Sequence, residues 1–170
     1  MHVSHIHSAM IILSFLSAVL LHECGHLLAL VFFKAPITKA RISLFGITLS
    51  HAPLSLKRSF TVSAFGPLFG LIGYLLAPKE TLPLFSSFSL LFSLFNLLPI
   101  KTLDGARMLT AALASFLAPT SVELVSSCIS KCALLVLWLL GSYLFLFKDQ
   151  SPSLFLMALA LFFESSAHES

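Results

Sequence analysis

Charged side chains are scarce in this 170-residue chain. Asp, Glu, Lys and Arg together make up 10% of the residues, whereas about 25% is usual in a soluble globular domain. Ten basic and seven acidic residues are too few to cover the surface of a water-soluble fold of this size. This scarcity argues against a cytosolic domain, a disordered tail and a nucleic-acid-binding protein. With 58% hydrophobic residues and a mean hydropathy of +1.00, the composition predicts an integral membrane protein.

Cysteine is equally scarce. The chain has three cysteines, Cys24, Cys128 and Cys132, and a disulfide framework usually needs an even number in a small secreted scaffold. The sequence therefore does not suggest a disulfide framework. Cys128 and Cys132 are four residues apart, so we interpret them as small apolar residues on one helix face.

Long apolar runs take the place of the missing charges. A helix needs about 20 residues to cross a membrane, and five runs are candidates: residues 8–33, 60–77, 82–98, 133–147 and 154–163. We therefore predict an all-α polytopic membrane protein with five transmembrane helices, or six if residues 108–117 cross separately. Between the first two spans, residues 41–50 have β-branched and aromatic residues around a central Gly46, which predicts a short β-ribbon in which Gly46 supplies the turn.

The basic residues predict the orientation of the chain. Five of the ten lie in one stretch without an acid: Lys34, Lys39, Arg41, Lys57 and Arg58. Cytoplasmic loops carry an excess of Lys and Arg, so we expect this stretch to face the cytoplasm.

One polar string lies inside the first apolar run. His22-Glu23-Cys24-Gly25-His26 has the pattern H-E-x-x-H. Residues i and i+4 of a helix share one face, about 6 Å apart along the axis. Two imidazoles so placed can bind one zinc ion, and the intervening Glu23 can act as general base on the attacking water. An ionisable group at membrane depth costs several kcal/mol on most scales, so a functional role is the default hypothesis.

Catalytic zinc usually has three protein ligands, so a third must come from elsewhere in the chain. Asp104 is the best candidate, because it lies in a polar interruption of the third apolar run at a depth compatible with His26. Five other histidines are weaker candidates, because they lie at the termini or in the basic stretch: His2, His5, His7, His51 and His168.

Three motifs, in this order, resemble those of site-2 proteases, which are intramembrane zinc metalloproteases. They are His22-Glu23-Cys24-Gly25-His26, Ala64-Phe65-Gly66-Pro67, and Asn96-Leu97-Leu98-Pro99 with Leu103-Asp104-Gly105. The resemblance implies a single intramembrane metalloprotease domain over residues 1–170. It also implies Zn²⁺ as cofactor, with His22, His26 and Asp104 as its ligands, Glu23 as general base and Asn96 near the substrate carbonyl.

The resemblance is to the small bacterial branch, whose sporulation enzymes process a pro-sigma factor. It implies zinc-dependent proteolysis of a membrane-associated or single-span protein within the lipid bilayer, with a regulatory membrane partner as a further candidate. We expect a bacterial cell membrane and an active site towards the cytoplasmic side. The residues leave one alternative open, a non-catalytic metal-binding membrane protein (a transporter or a degenerate protease acting as a binding module), although such a protein would not need Glu23.

Overall fold

A computed structural model describes residues 2–43, 46–51, 54–147 and 153–167 of the chain. Its elements, in chain order, are α1 (His2–Phe32), β1 (Ile37–Ser43), β2 (Gly46–His51), α2 (Leu56–Leu76), α3 (Pro83–Asn96), α4 (Asp104–Leu113), α5 (Pro119–Phe147) and α6 (Ser153–Ala167). The chain divides into two compact units, Met1–Leu97 and Leu98–Ser170. Each unit is described by itself.

In the first unit, α1 packs against both α2 and α3, and α2 packs against α3. Seven described residues of α1 are buried. Five of them recur about every 3.6 residues, which places them on one helix face: Ala18, His22, Gly25, His26 and Ala29. Glu23 and Leu30 are the other two, each next to one of these positions. The apolar spacing of α1 therefore carries both histidines of the H-E-x-x-H pattern into the interior of the three-helix unit.

Small residues allow these helices to approach closely. Gly66, Gly70 and Gly73 are buried on α2, and a Cβ atom added at Gly70 would collide with the Ser93 hydroxyl of α3. A Cβ atom added at Gly25 of α1 would collide with the backbone carbonyl of Phe65 on α2. Gly66 and Gly70 form a G-x-x-x-G pattern, a spacing that lets helices approach closely, and the helices here do so.

The end of α1 is fixed by a backbone motif. Ala35 N–H donates to the Leu30 carbonyl and Lys34 N–H to the Val31 carbonyl, each at 3.0 Å, while Lys34 has a positive φ of 52°. This is a Schellman motif. Ala35 packs against the cluster that contains Leu30, which supplies the hydrophobic contact that commonly accompanies such an end.

Two short strands follow. β1 and β2 pair antiparallel, and Gly46 lies opposite Ser43 in the ladder. Gly46 is thus the first residue of β2, so the expectation that it forms the turn is wrong.

In the second unit, α5 packs against both α4 and α6. A turn precedes α4. Two apolar residues of this turn are buried, since Ile100 is 0% and Leu103 is 1% exposed. The polar interruption predicted near residues 99–105 is confirmed, because α3 ends at Asn96 and α4 begins at Asp104.

The prediction of five or six transmembrane helices is wrong. Among the described residues, three helices are long and apolar enough to cross a membrane: Ser8–Phe32, Leu56–Leu76 and Pro119–Phe147. α3 has 14 residues and α6 has 15, so each is only about 21–23 Å long, against a hydrocarbon core of about 30 Å. α4 has 10 residues and is not a separate span. Hydropathy alone counted these short apolar helices as crossings.

Candidate metal centre

The two histidines of the H-E-x-x-H pattern meet at their Nε2 atoms. His22 and His26 lie one turn apart on α1, are 2% and 8% exposed, and their Nε2 atoms are 3.2 Å apart. Their ring planes are inclined at 76°, with centroids 4.9 Å apart. Each imidazole therefore directs its Nε2 atom towards the other, so that the two nitrogens face one point.

A backbone carbonyl of α2 sets the tautomer of His26. Its Nδ1 lies 2.8 Å from the carbonyl oxygen of Val62. Because a carbonyl can only accept, Nδ1 must carry the hydrogen and donate it. The neutral ring then has its lone pair on Nε2, the atom that faces His22. Histidine ligands of metals commonly have this kind of outer hydrogen bond.

The separation of the two nitrogens fits a shared cation. Two Nε2 lone pairs directed at each other across 3.2 Å would repel, so a proton or a metal ion must lie between them. Two nitrogens that each bind one tetrahedral zinc ion at about 2 Å are about 3.3 Å apart. The pair therefore has the donor atoms and the spacing of half a zinc site.

An aromatic side chain of α3 packs against His22. The Phe92 ring lies edge-on to the His22 ring, with centroids 4.9 Å apart and planes inclined at 77°. Phe92 itself contacts Phe15 of α1 at 6.3 Å between centroids. The two imidazoles are thus held by different elements, His26 by α2 and His22 by α3.

Gly66 of α2 leaves the space in which the two nitrogens meet. A Cβ atom added there would collide with Nε2 and Cε1 of His26, and would lie 2.7 Å from Nε2 of His22. From the sequence alone, Gly66 would be interpreted as a helix-packing residue. Its G-x-x-x-G spacing indicated a close approach, but only the fold shows that the approaching atoms are the candidate metal ligands.

Glu23 and Asn96 are the other predicted site residues of the first unit. Glu23 follows His22 on α1 and is 7% exposed. Asn96 is the last residue of α3, and its side-chain amide donates to the Phe92 carbonyl at 2.9 Å. The structure thus joins His22, Glu23 and His26 on one helix and places Asn96 at the end of the helix that packs against His22.

Asp104 lies in the second unit. It is the first residue of α4 and is 5% exposed. Arg107, one turn later, places its guanidinium 3.5 Å from Oδ1 of Asp104. The helix dipole also favours an acidic residue in this first turn. The side chains of the five weaker histidine candidates lie outside the part of the chain whose side chains are described.

Comparison with protein-family models finds no match. Among curated proteins, the chain is similar to Stage IV sporulation protein FB of Bacillus subtilis (strain 168), with 34% identity over 110 residues. This similarity covers 58% of the chain and 38% of that protein, so the chain spans well under half of its relative's length. Among solved structures, it resembles the Site-2 Protease from Methanocaldococcus jannaschii, with a TM-score of 0.73 and 21% identity. That likeness covers 94% of this chain and 77% of the other.

These likenesses and the three long apolar helices define an integral membrane protein. Its fold is that of a site-2 protease. The family resemblance that the three sequence motifs predict is confirmed.

Proposed function

We propose that this protein is a zinc-dependent intramembrane protease. The observation that carries the proposal is the pair of buried imidazoles whose Nε2 atoms are 3.2 Å apart on a membrane-spanning helix. The hydrogen bond from His26 to Val62 supports the ligand tautomer. Buried polar groups at membrane depth are costly and mark functional sites.

Three side chains would hold the metal: His22 and His26 through Nε2, and Asp104 through its carboxylate. The bound zinc ion would supply a Lewis acid that activates a water molecule and polarises the scissile carbonyl. Glu23 accepts a proton from the attacking water and passes it to the leaving amine, as a general base and then a general acid. The amide of Asn96 assists at the substrate carbonyl.

The substrate we propose is a membrane-associated or single-span protein, including regulatory factors such as a pro-sigma factor. The resemblance of the three sequence motifs to the sporulation enzymes of this family suggests this choice, and the relative found by comparison is named as a sporulation protein. We further propose a bacterial cell membrane and an active site near the cytoplasmic surface. His26 lies six residues, or about 9 Å, before the end of α1 at Phe32, and the basic stretch follows directly.

The test separates the proposed base from the proposed ligands. Purified protein in lipid vesicles is incubated with candidate single-span proteins, and bound zinc is measured beside cleavage. Glu23→Gln keeps the size of the side chain but cannot accept the proton, so cleavage should fall about 10²–10⁴-fold while zinc stays bound. Asp104→Asn, His22→Ala and His26→Ala should each lower zinc binding and cleavage together.

Three results would count against parts of the proposal. Wild-type cleavage by Glu23→Gln would refute the general-base mechanism. Full zinc content and activity in Asp104→Asn would remove Asp104 from the ligand set. Zinc binding by the unaltered protein without cleavage of any candidate would favour the non-catalytic metal-binding alternative.

A further inference from the structure

In the turn before α4, backbone N–H groups donate both to backbone carbonyls and to a side chain of α5. Ile100 N–H donates to the Leu98 carbonyl at 2.8 Å and Leu103 N–H to the Ile100 carbonyl at 2.7 Å. Between them, Lys101 N–H donates to the hydroxyl of Ser130 on α5, at 2.8 Å. The hydroxyl of Ser130 therefore ties this turn to α5.

Ser130 occupies an unusual place for a serine. It is 6% exposed and lies within α5, which has the length and hydropathy of a membrane span. Among the described side chains of residues 98–170, the buried polar or charged residues are Ser130 and Asp104. A polar group in such surroundings is costly unless it is hydrogen-bonded. The bond to Lys101 gives Ser130 a partner and ties α5 to the turn.

The position of Asp104 depends on this turn. Asp104 comes three residues after Lys101 and begins α4. Leu103, directly before it, is 1% exposed, so the backbone enters α4 from a packed anchor. A shift of Lys101 away from α5 would pass through this short segment to the carboxylate.

A second hydroxyl of α5 provides a natural comparison. The hydroxyl of Ser126, one turn before Ser130, lies 3.4 Å from the hydroxyl of Thr110 on α4, whose own hydrogen is donated to the Ala106 carbonyl at 2.8 Å. The contact between the two hydroxyls is longer and exposed, and it joins α4 six residues after Asp104. Removal of Ser126 therefore alters the same pair of helices without touching the turn.

We infer that Ser130 is a positioning residue, which holds the backbone of Lys101 so that Asp104 is presented as a metal ligand. The inference rests on the proposed function, in which Asp104 binds zinc. Ser130 acts through the turn and touches neither metal nor substrate.

The experiment measures zinc affinity of the full chain in detergent by competition with a chelator, beside the unfolding midpoint of the zinc-free protein. Outer-shell partners of metal ligands typically contribute about 10- to 100-fold in affinity, so Ser130→Ala should weaken zinc binding by at least about tenfold. Ser130→Thr retains the hydroxyl and should restore most of the zinc affinity that Ser130→Ala loses. Ser126→Ala is the matched control and should bind zinc as the unaltered protein does.

A double-mutant cycle tests whether the effect passes through Asp104. If it does, Ser130→Ala should cause no further loss of zinc affinity in an Asp104→Asn background, because coupled residues are not additive. Additive losses would overturn the inference, as would an unchanged affinity for Ser130→Ala. A third result would also overturn it: Ser130→Ala lowers the unfolding midpoint, and Ser130→Thr does not restore zinc affinity. Ser130 would then only support the fold.

The outcomes also separate this inference from the proposed function. If the unaltered protein binds no zinc, or if Asp104→Asn binds it normally, the proposed ligand set fails. If Asp104→Asn loses zinc while Ser130→Ala keeps it, only the role of Ser130 is lost.

Discussion

The two units of the chain differ in what lies in their interiors. In the first unit, eight of the described buried side chains are polar or charged: His22, Glu23, His26, Ser63, Ser86, Ser89, Ser93 and Asn96. In the second, Asp104 and Ser130 are the two polar side chains among its described buried residues, and the others are small or apolar. The interior of the first unit therefore contains many polar side chains, whereas the described interior of the second unit is apolar apart from Asp104 and Ser130.

The difference extends to how each unit fixes its candidate ligands. His22 and His26 lie on an unbroken helix, and glycines of α2 bring a second helix against them. Asp104 begins a short helix after a turn that one serine hydroxyl completes. We infer that added volume would damage the first unit most, and that loss of a hydrogen bond would damage the second most.

The largest effect is expected from Gly66→Ala. Its methyl group would occupy the space at the two Nε2 atoms. The imidazole of His26 cannot turn away without losing its bond to the Val62 carbonyl. Zinc affinity should fall about 10- to 100-fold, as measured by chelator competition, and cleavage should fall with it. Normal zinc affinity in this variant would show that the helices can separate without cost. Added volume would then not be what damages the first unit most.

A smaller effect is expected from Gly70→Ala, one turn further along α2. Here the added methyl group meets the Ser93 hydroxyl, which donates to the Ser89 carbonyl at 2.7 Å. Overpacking of this kind costs about 1–3 kcal/mol, so the free energy of unfolding should fall while zinc affinity of the folded protein is retained. Ser93→Ala in the same chain removes the obstructing hydroxyl and should recover most of the loss. Failure of that rescue would mean that the backbone, not the hydroxyl, limits the approach.

The smallest effect is expected at the end of α1. Lys34 has a positive φ of 52°, which costs an L-residue about 1–2 kcal/mol. Lys34→Gly removes this strain but gains unfolded-state freedom, so we expect a net stabilisation of about 0.5–1 kcal/mol. Lys34→Ala is the control, because it removes the charge but keeps the strain. Equal unfolding midpoints for the two variants in detergent would contradict the strain argument and attribute any change to charge.

Several features of the protein could be predicted from its sequence. The class of membrane protein follows from the scarcity of charge, because too few ionisable groups exist to solvate a surface. The pairing of His22 and His26 follows from helix geometry, since i and i+4 always share a face. The break between α3 and α4 follows from Pro99 and the polar residues after it, which do not continue an apolar helix.

Hydropathy was a poor guide to the number of spans. Residues 82–98 and 154–163 are as apolar as the three long helices. The helices that form there, α3 and α6, are nevertheless too short to cross a membrane. Length is decided by where a helix begins and ends, and Pro83 at the start of α3 and the end at Asn96 limit it to 14 residues.

What the sequence by itself determined is therefore the membrane class and the local placement of the candidate ligands along a helix, because both depend on composition and on the helical repeat. Only the tertiary structure decided what faces those ligands. The carbonyl of Val62 that orients His26 belongs to the backbone, which every residue has and no motif distinguishes. The roles of Gly66 and Ser130 likewise depend on atoms from distant parts of the chain, at Nε2 of His26 and at the N–H of Lys101. Such contacts have no period and no spacing, because they exist only once the helices pack.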